Sequence, residues 1–126
     1  MKKILIVFAL MMFGCAYAAD WVEVSHKYYL DLSSYQKHYS DGSTYVTIWS
    51  KVLNDGDMKP INNKKVWYYK SKEYCDCTNK KIGASYVIYY GLDAKVLDDY
   101  DFGKPLYYEV IPETVGEILW NYVCGK

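Results

Sequence analysis

The stretch Pro112-Glu113-Thr114-Val115-Gly116-Glu117-Ile118-Leu119-Trp120-Asn121-Tyr122-Val123-Cys124 decides the fold. Pro112 precedes a helix start, and Thr114 with Glu117 has the spacing of a capping box, in which each side chain satisfies an amide that the first helical turn leaves unpaired. Val115, Ile118, Leu119, Tyr122 and Val123 then recur at i, i+3, i+4, i+7 and i+8, the stripe of an amphipathic helix. A lone helix with so narrow an apolar stripe must lie on something, and Cys124 in its last turn offers a covalent fastening.

What it lies on is legible upstream. Trp21-Val22-Glu23-Val24 alternates and Lys27–Leu32 is aromatic-rich, as strands are. Asp41-Gly42 is a turn signal ahead of Thr44–Leu53, the longest β-like run. Along that run Val46, Ile48 and Val52 share one face, and Tyr45, Trp49 and Leu53 share the other. Asn54–Lys65, with Gly56 and Pro60, reads as a loop; Val66–Thr78, Ile82–Gly91 and Leu106–Ile111 read as further strands. Frequent turns and the lack of helical crossovers make the sheet antiparallel. The expected fold is α+β: a single antiparallel β-sheet with one C-terminal α-helix packed on it and tied by a disulfide.

The N-terminus carries an address. Lys2-Lys3, the apolar run Ile4–Phe13 and the small residues of Ala16-Tyr17-Ala18 have the three-part layout of an export signal, residues 1–18, which leaves one domain at 19–126. Ten apolar residues make only about 15 Å of helix, half a bilayer. Cys15 carries the alternative: Met12-Phe13-Gly14-Cys15 stands where a bacterial lipobox would stand, although Phe13 suits that pattern badly, and lipidation there would tether the domain to a membrane. Export of either kind takes the domain out of the cytoplasm.

Composition excludes several classes. Aromatic residues are 18% of the chain and hydrophobic residues 52%, which excludes a disordered chain. All basic residues are lysine, so the arginine forks that grip phosphates and base edges are missing and a nucleic-acid partner is not expected. Phosphate loops, nucleophile elbows and paired His-Glu helix motifs are absent, and no catalytic residue or cofactor is assigned. His26 and His38 with a Cys-x-Cys do not build a tetrahedral metal site, and the acidic runs at 54–57 and 98–101 lack the spacing of calcium loops and read as turns.

Cys75, Cys77 and Cys124 are the cysteines left after the signal, and an oxidising compartment favours pairing. On a strand Cys75 and Cys77 point to the same face, and a bridge between them would be strained. One of the two therefore pairs with Cys124, and the other is a spare thiol, buried or linking two chains. A spare Cys75 of depressed pKa would also serve a hydrolase as nucleophile, a third and weaker reading.

Tyrosine is over-represented, with 16 copies. The pairs Tyr28-Tyr29, Tyr68-Tyr69, Tyr89-Tyr90 and Tyr107-Tyr108 each fall in an expected strand, so each puts one ring on either side of the sheet. One set packs under the helix, and the other lies on a solvated or contact face. Residues 51–81 hold eight lysines against four acids, and 92–117 hold seven acids against two lysines. Tyr28, Tyr68, Tyr89 and Tyr107 with Lys59, Lys64 and Lys65 are the candidate binding surface, for a macromolecular partner or a second copy in a homodimer.

In order along the chain, the aromatic start at Trp21, Tyr29-Leu30-Asp31, Val46-Thr47-Ile48-Trp49, Asp76-Cys77 followed by lysines, Tyr89-Tyr90-Gly91, Ile111-Pro112, Thr114-Val115-Gly116-Glu117 and Val123-Cys124 resemble the bacterial surface-adhesin protein E-like family. Cys75 is additional to that pattern, and Tyr107-Tyr108 stand where tryptophan is expected. The resemblance implies a Cys77–Cys124 bridge holding the helix, a place in the periplasm or at the outer membrane or surface of a Gram-negative bacterium, and attachment to host extracellular-matrix or plasma proteins; the missing motifs make that role non-enzymatic. The alternative is a periplasmic housekeeping or inhibitory module whose partner is another bacterial envelope protein.

Overall fold

The computed structural model describes residues 18–125; Cys15 and all of the expected export signal but its last residue lie outside them. Strands β1 (Trp21–Ser25), β2 (Tyr28–Ser40), β3 (Ser43–Leu53), β4 (Val66–Asp76), β5 (Lys81–Gly91) and β6 (Val96–Asp101) form an antiparallel meander in which each pairs with the next. A two-residue strand, β7 (Tyr108–Glu109), pairs with the start of β5, and helix α1 (Val115–Cys124) follows. Tight reversals make the meander possible. Asp41 and Gly42, with φ of 51° and 77°, form a two-residue turn closed by the Ser40–Ser43 pair.

Residues directly opposite one another on paired strands share a face. Leu30, Val46, Ile48, Cys75 and Ile82 thus form one floor, and Leu119 and Val123 of α1 lie on it. The helix starts as its residues require: Thr114 Oγ1 accepts from the Glu117 amide at 3.4 Å. The Glu117 carboxylate reaches one residue past the cap and accepts from the Glu113 amide at 3.3 Å. Two fastenings hold the helix down. Trp120 Nε1 donates to the Asp76 carbonyl at 2.9 Å, and the Cys77–Cys124 disulfide spans Cα atoms 5.3 Å apart. One turn before Trp120, Gly116 passes so close to the sheet that an added Cβ would land on Ile82 Cδ1.

The helix is rotated from the expected stripe. Val115 and Ile118 are 50% and 37% exposed, while Leu119 and Val123 are buried, because the fastenings at Trp120 and Cys124 turn the Gly116–Leu119–Val123 side to the sheet. Three other expectations need correction. β2 runs on to Ser40 through a register shift between Asp31 and Gln36, where Asp31 accepts from the Asp20 amide at 2.8 Å and from Ser33. The acidic run at 98–101, expected to be a turn, belongs to edge strand β6, whose carboxylates are tolerated because an edge is solvated. The strand expected over Leu106–Ile111 shrinks to Tyr108–Glu109, because only Lys81 and Ile82 of β5 pair with it.

The bridge closes a loop of 47 residues, worth about 4 kcal/mol on the chain-entropy model. A Cys77→Ser/Cys124→Ser double variant is expected to lose that much stability in urea titration; an unchanged midpoint would contradict the clamp.

Candidate functional site

The alternation that sends Cys75 to the helix side sends Tyr68, Lys70, Lys72 and Tyr74 of β4 to the other side. Register extends the pattern across the sheet. Tyr29, Lys51, Lys70 and Ile88 stand in one row; Trp49, Lys72 and Tyr86 form the next; Leu53, Tyr68 and Tyr90 flank them. Trp21 joins from β1, opposite Asp31. Apart from exposed Trp67 beside Tyr68, these rings are half-buried. Helix α1 lies on the other face, where Met58, Lys59 and Ile61 of the 54–65 loop also sit, beside Val66, Tyr69, Tyr89 and Tyr100. Of the described residues, the stretch around Leu106 crosses the open face at one end, with its carbonyl over Gly83.

The open face is an aromatic and lysine lattice. Tyr68 and Tyr90 stack with centroids 4.7 Å apart, Trp49 meets Tyr86 at 6.2 Å, and His38 stacks on Tyr45 at 4.6 Å while its Nε2 contacts Thr47 Oγ1 at 3.1 Å. Lys51 Nζ stands 4.6 Å above the Trp21 ring and 5.5 Å from that of Tyr29; Lys70 Nζ is 5.5 Å from Trp21 and 5.3 Å from Tyr90. Ring quadrupoles attract these ammonium groups. Lys51 and Lys70 are nevertheless direct cross-strand partners, an unfavourable placement for like charges. Burial and the Lys70 charge hold the Lys51 pKa below its usual value.

The helix-side face has a polar interior. Ser50 Oγ lies 3.1 Å from the Glu73 carboxylate, and Ser71 also bonds it. Burial raises the Glu73 pKa more than these hydroxyls lower it. Burial also pushes the Tyr28 hydroxyl far above its ordinary range, and that of Tyr69 up to about 12. The Cys75 thiol is raised too, by burial and then by Glu73.

The proposed surface residues do not lie together. Tyr68 is on the open face, and Tyr107 reaches it from beside Gly83, near Tyr45 and Tyr74. Tyr28 is 4% exposed and belongs to the core, because it pairs with Val52 and so shares the face of Val46 and Ile48. Tyr89 is on the helix side, tilted against Tyr69 at 5.4 Å. Lys59 borders the recess at Tyr69 and Tyr89, whereas Lys64 and Lys65 border another with Gly91, Leu92 and Asp93. Cys75 is buried and free, so it neither links two chains nor has the depressed pKa of a nucleophile.

Lys51, Lys70, Trp21, Tyr29 and Tyr90 are not among the candidate surface residues read from the sequence. A signal for Lys70 is the period of two in Tyr68-x-Lys70-x-Lys72-x-Tyr74, which puts lysines and rings on one face of a single strand; the others join it only through register. No trio of His, Cys, Asp or Glu among the described residues is placed to hold a metal ion, and no described helix is long and apolar enough to cross a membrane. The family model for surface-adhesin protein E matches residues 21–125, essentially the whole described chain. No curated protein and no solved structure matches it.

Two solution measurements follow from the buried groups. A carboxyl whose pKa is raised by folding contributes stability at low pH and loses it as pH climbs through the raised value. Glu73→Gln is therefore expected to raise the melting temperature at pH 7, with the gain shrinking toward pH 4; a gain that grows in acid would contradict the assignment. Cys75 in the native protein is expected to react with a thiol reagent at neutral pH far more slowly than after denaturation, and equal rates would contradict its burial.

Proposed function

The chain belongs to the surface-adhesin protein E family, and on that premise we propose that it is exported to the bacterial cell envelope. There it attaches to a macromolecular partner through the open face of its sheet and catalyses no reaction. The observation that carries this reading is the lattice itself. Trp21, Tyr29, Trp49, Tyr68 and Tyr86 come from five successive strands and present half-buried rings on one side of the sheet. Tyrosine and tryptophan supply large contact area at little cost in side-chain entropy, and they are enriched where protein surfaces meet. An adhesive role agrees with the family's name, and the partner we propose is a host matrix or plasma protein. The Cys77–Cys124 bridge suits an oxidising compartment outside the cytoplasm. Lys2-Lys3 followed by an apolar run supports export, and a lipid on Cys15 would add a membrane anchor.

Residues 19–126, purified oxidised, are expected to bind saturably to at least one member of a panel of immobilised matrix and plasma proteins. A Trp49→Ser/Tyr86→Ser variant that keeps its disulfide should bind about tenfold more weakly. Absence of binding at micromolar concentration, or full binding by the variant, would contradict the reading. Protease treatment of intact cells should release peptides of this domain; complete protection would place its partner inside the envelope.

A further inference from the structure

We propose that Lys51, Lys70 and the indole of Trp21 form a binding site for the sulfate groups of a sulfated polysaccharide at the centre of the open face. The proposal rests on that face being the contact face, but not on which protein the face meets. Its basis is a charge arrangement that the fold itself leaves unbalanced. Lys51 and Lys70 are directly opposed on β3 and β4, and both ammonium groups stand over the same ring, at 4.6 and 5.5 Å. Neither forms an ion pair among the described residues, and the charge acting on Lys51 is that of Lys70. Two partly desolvated cations side by side cost stability in the free protein. An anion with several oxygens, set between them, accepts hydrogen bonds from both and removes the repulsion.

The surroundings favour a sulfated sugar over an acidic peptide. β3 and β4 lie inside the sheet with both edges paired, so a peptide finds no free backbone to extend. Sugar rings present C–H faces that pack on aromatic faces, and the Tyr68–Tyr90 stack lies beside the lysines. Lysine supplies compact, freely rotating donors that can each turn toward an oxygen of a tetrahedral anion. Asp99 and Asp101 of β6 pair with Ile88 and Tyr86 and so edge the same face with negative charge. Glu23 of β1, opposite Tyr29, does the same at the other edge, so a polyanion is confined to the middle of the face.

The test is titration of the oxidised 19–126 protein with a heparin octasaccharide, a desulfated octasaccharide and polyglutamate at about 0.15 M salt. The sulfated sugar is expected to bind, and to bind more weakly as salt is raised. Lys51→Gln and Lys70→Gln should each weaken binding about tenfold, with circular dichroism and melting temperature confirming the fold. Lys51→Arg should retain binding, and Lys64→Gln/Lys65→Gln, which removes two charges elsewhere, should change it little. The proposal is overturned by no binding of the sulfated sugar below millimolar concentration. It is equally overturned by equal binding of either comparator, or by equal losses in the loop and sheet variants. Matrix-protein attachment that persists in a protein unable to bind the octasaccharide removes the sulfate site and leaves the contact-face reading standing. Octasaccharide binding without matrix attachment does the reverse.

Discussion

Cys77 follows β4 directly and continues the alternation of Tyr69, Ser71, Glu73 and Cys75, so its sulfur leaves the sheet on the side those residues face. Because that sulfur is bonded to Cys124, the helix is held on that side. The Trp120 bond to the Asp76 carbonyl fixes the rotation of the helix about its axis as well as its position. Everything apolar then sorts by parity. Residues in phase with Cys77 become core, and residues out of phase, among them Tyr68, Lys70 and Lys72, are left without a covering element.

How a sheet keeps such a face in water without aggregating follows from its contents. The rings are not presented as a continuous apolar patch. Lys51, Lys70 and Lys72 stand among them, each held over at least one ring. Lysine stems cover ring edges while the ammonium groups stay wet. At the outer edge, β6 carries Asp98, Asp99 and Asp101, and inward or edge charges discourage strand-on-strand association. The same lysines that keep the face soluble leave uncompensated positive charge at its centre, so solubility and recognition draw on one set of side chains.

Much of this was legible in the sequence. The Thr114–Glu117 cap, the Asp41-Gly42 turn, the antiparallel sheet and the two-sidedness of each tyrosine pair rest on local signals, and local signals survive folding. Which member of each pair faces outward is not local. It depends on register: Tyr28 opposes Val52 and goes inward, whereas Tyr68 opposes Leu53 and goes outward, although both are first in their pairs. β6 was hidden because an edge strand rich in aspartate has turn-like composition. The charged centre was hidden because lysines 51 and 70 are far apart in sequence and meet only through the β3–β4 ladder.

The central claim is that this ladder sets Lys51 and Lys70 over Trp21 on the face away from the helix. Proton NMR of the oxidised protein tests it most directly. The claim predicts upfield-shifted ε-methylene resonances for both lysines and nuclear Overhauser contacts from each to the Trp21 indole, with the shifts lost in Trp21→Leu. Random-coil shifts for the two lysines, or contacts from them to Leu119 or Val123 of the helix, would contradict it.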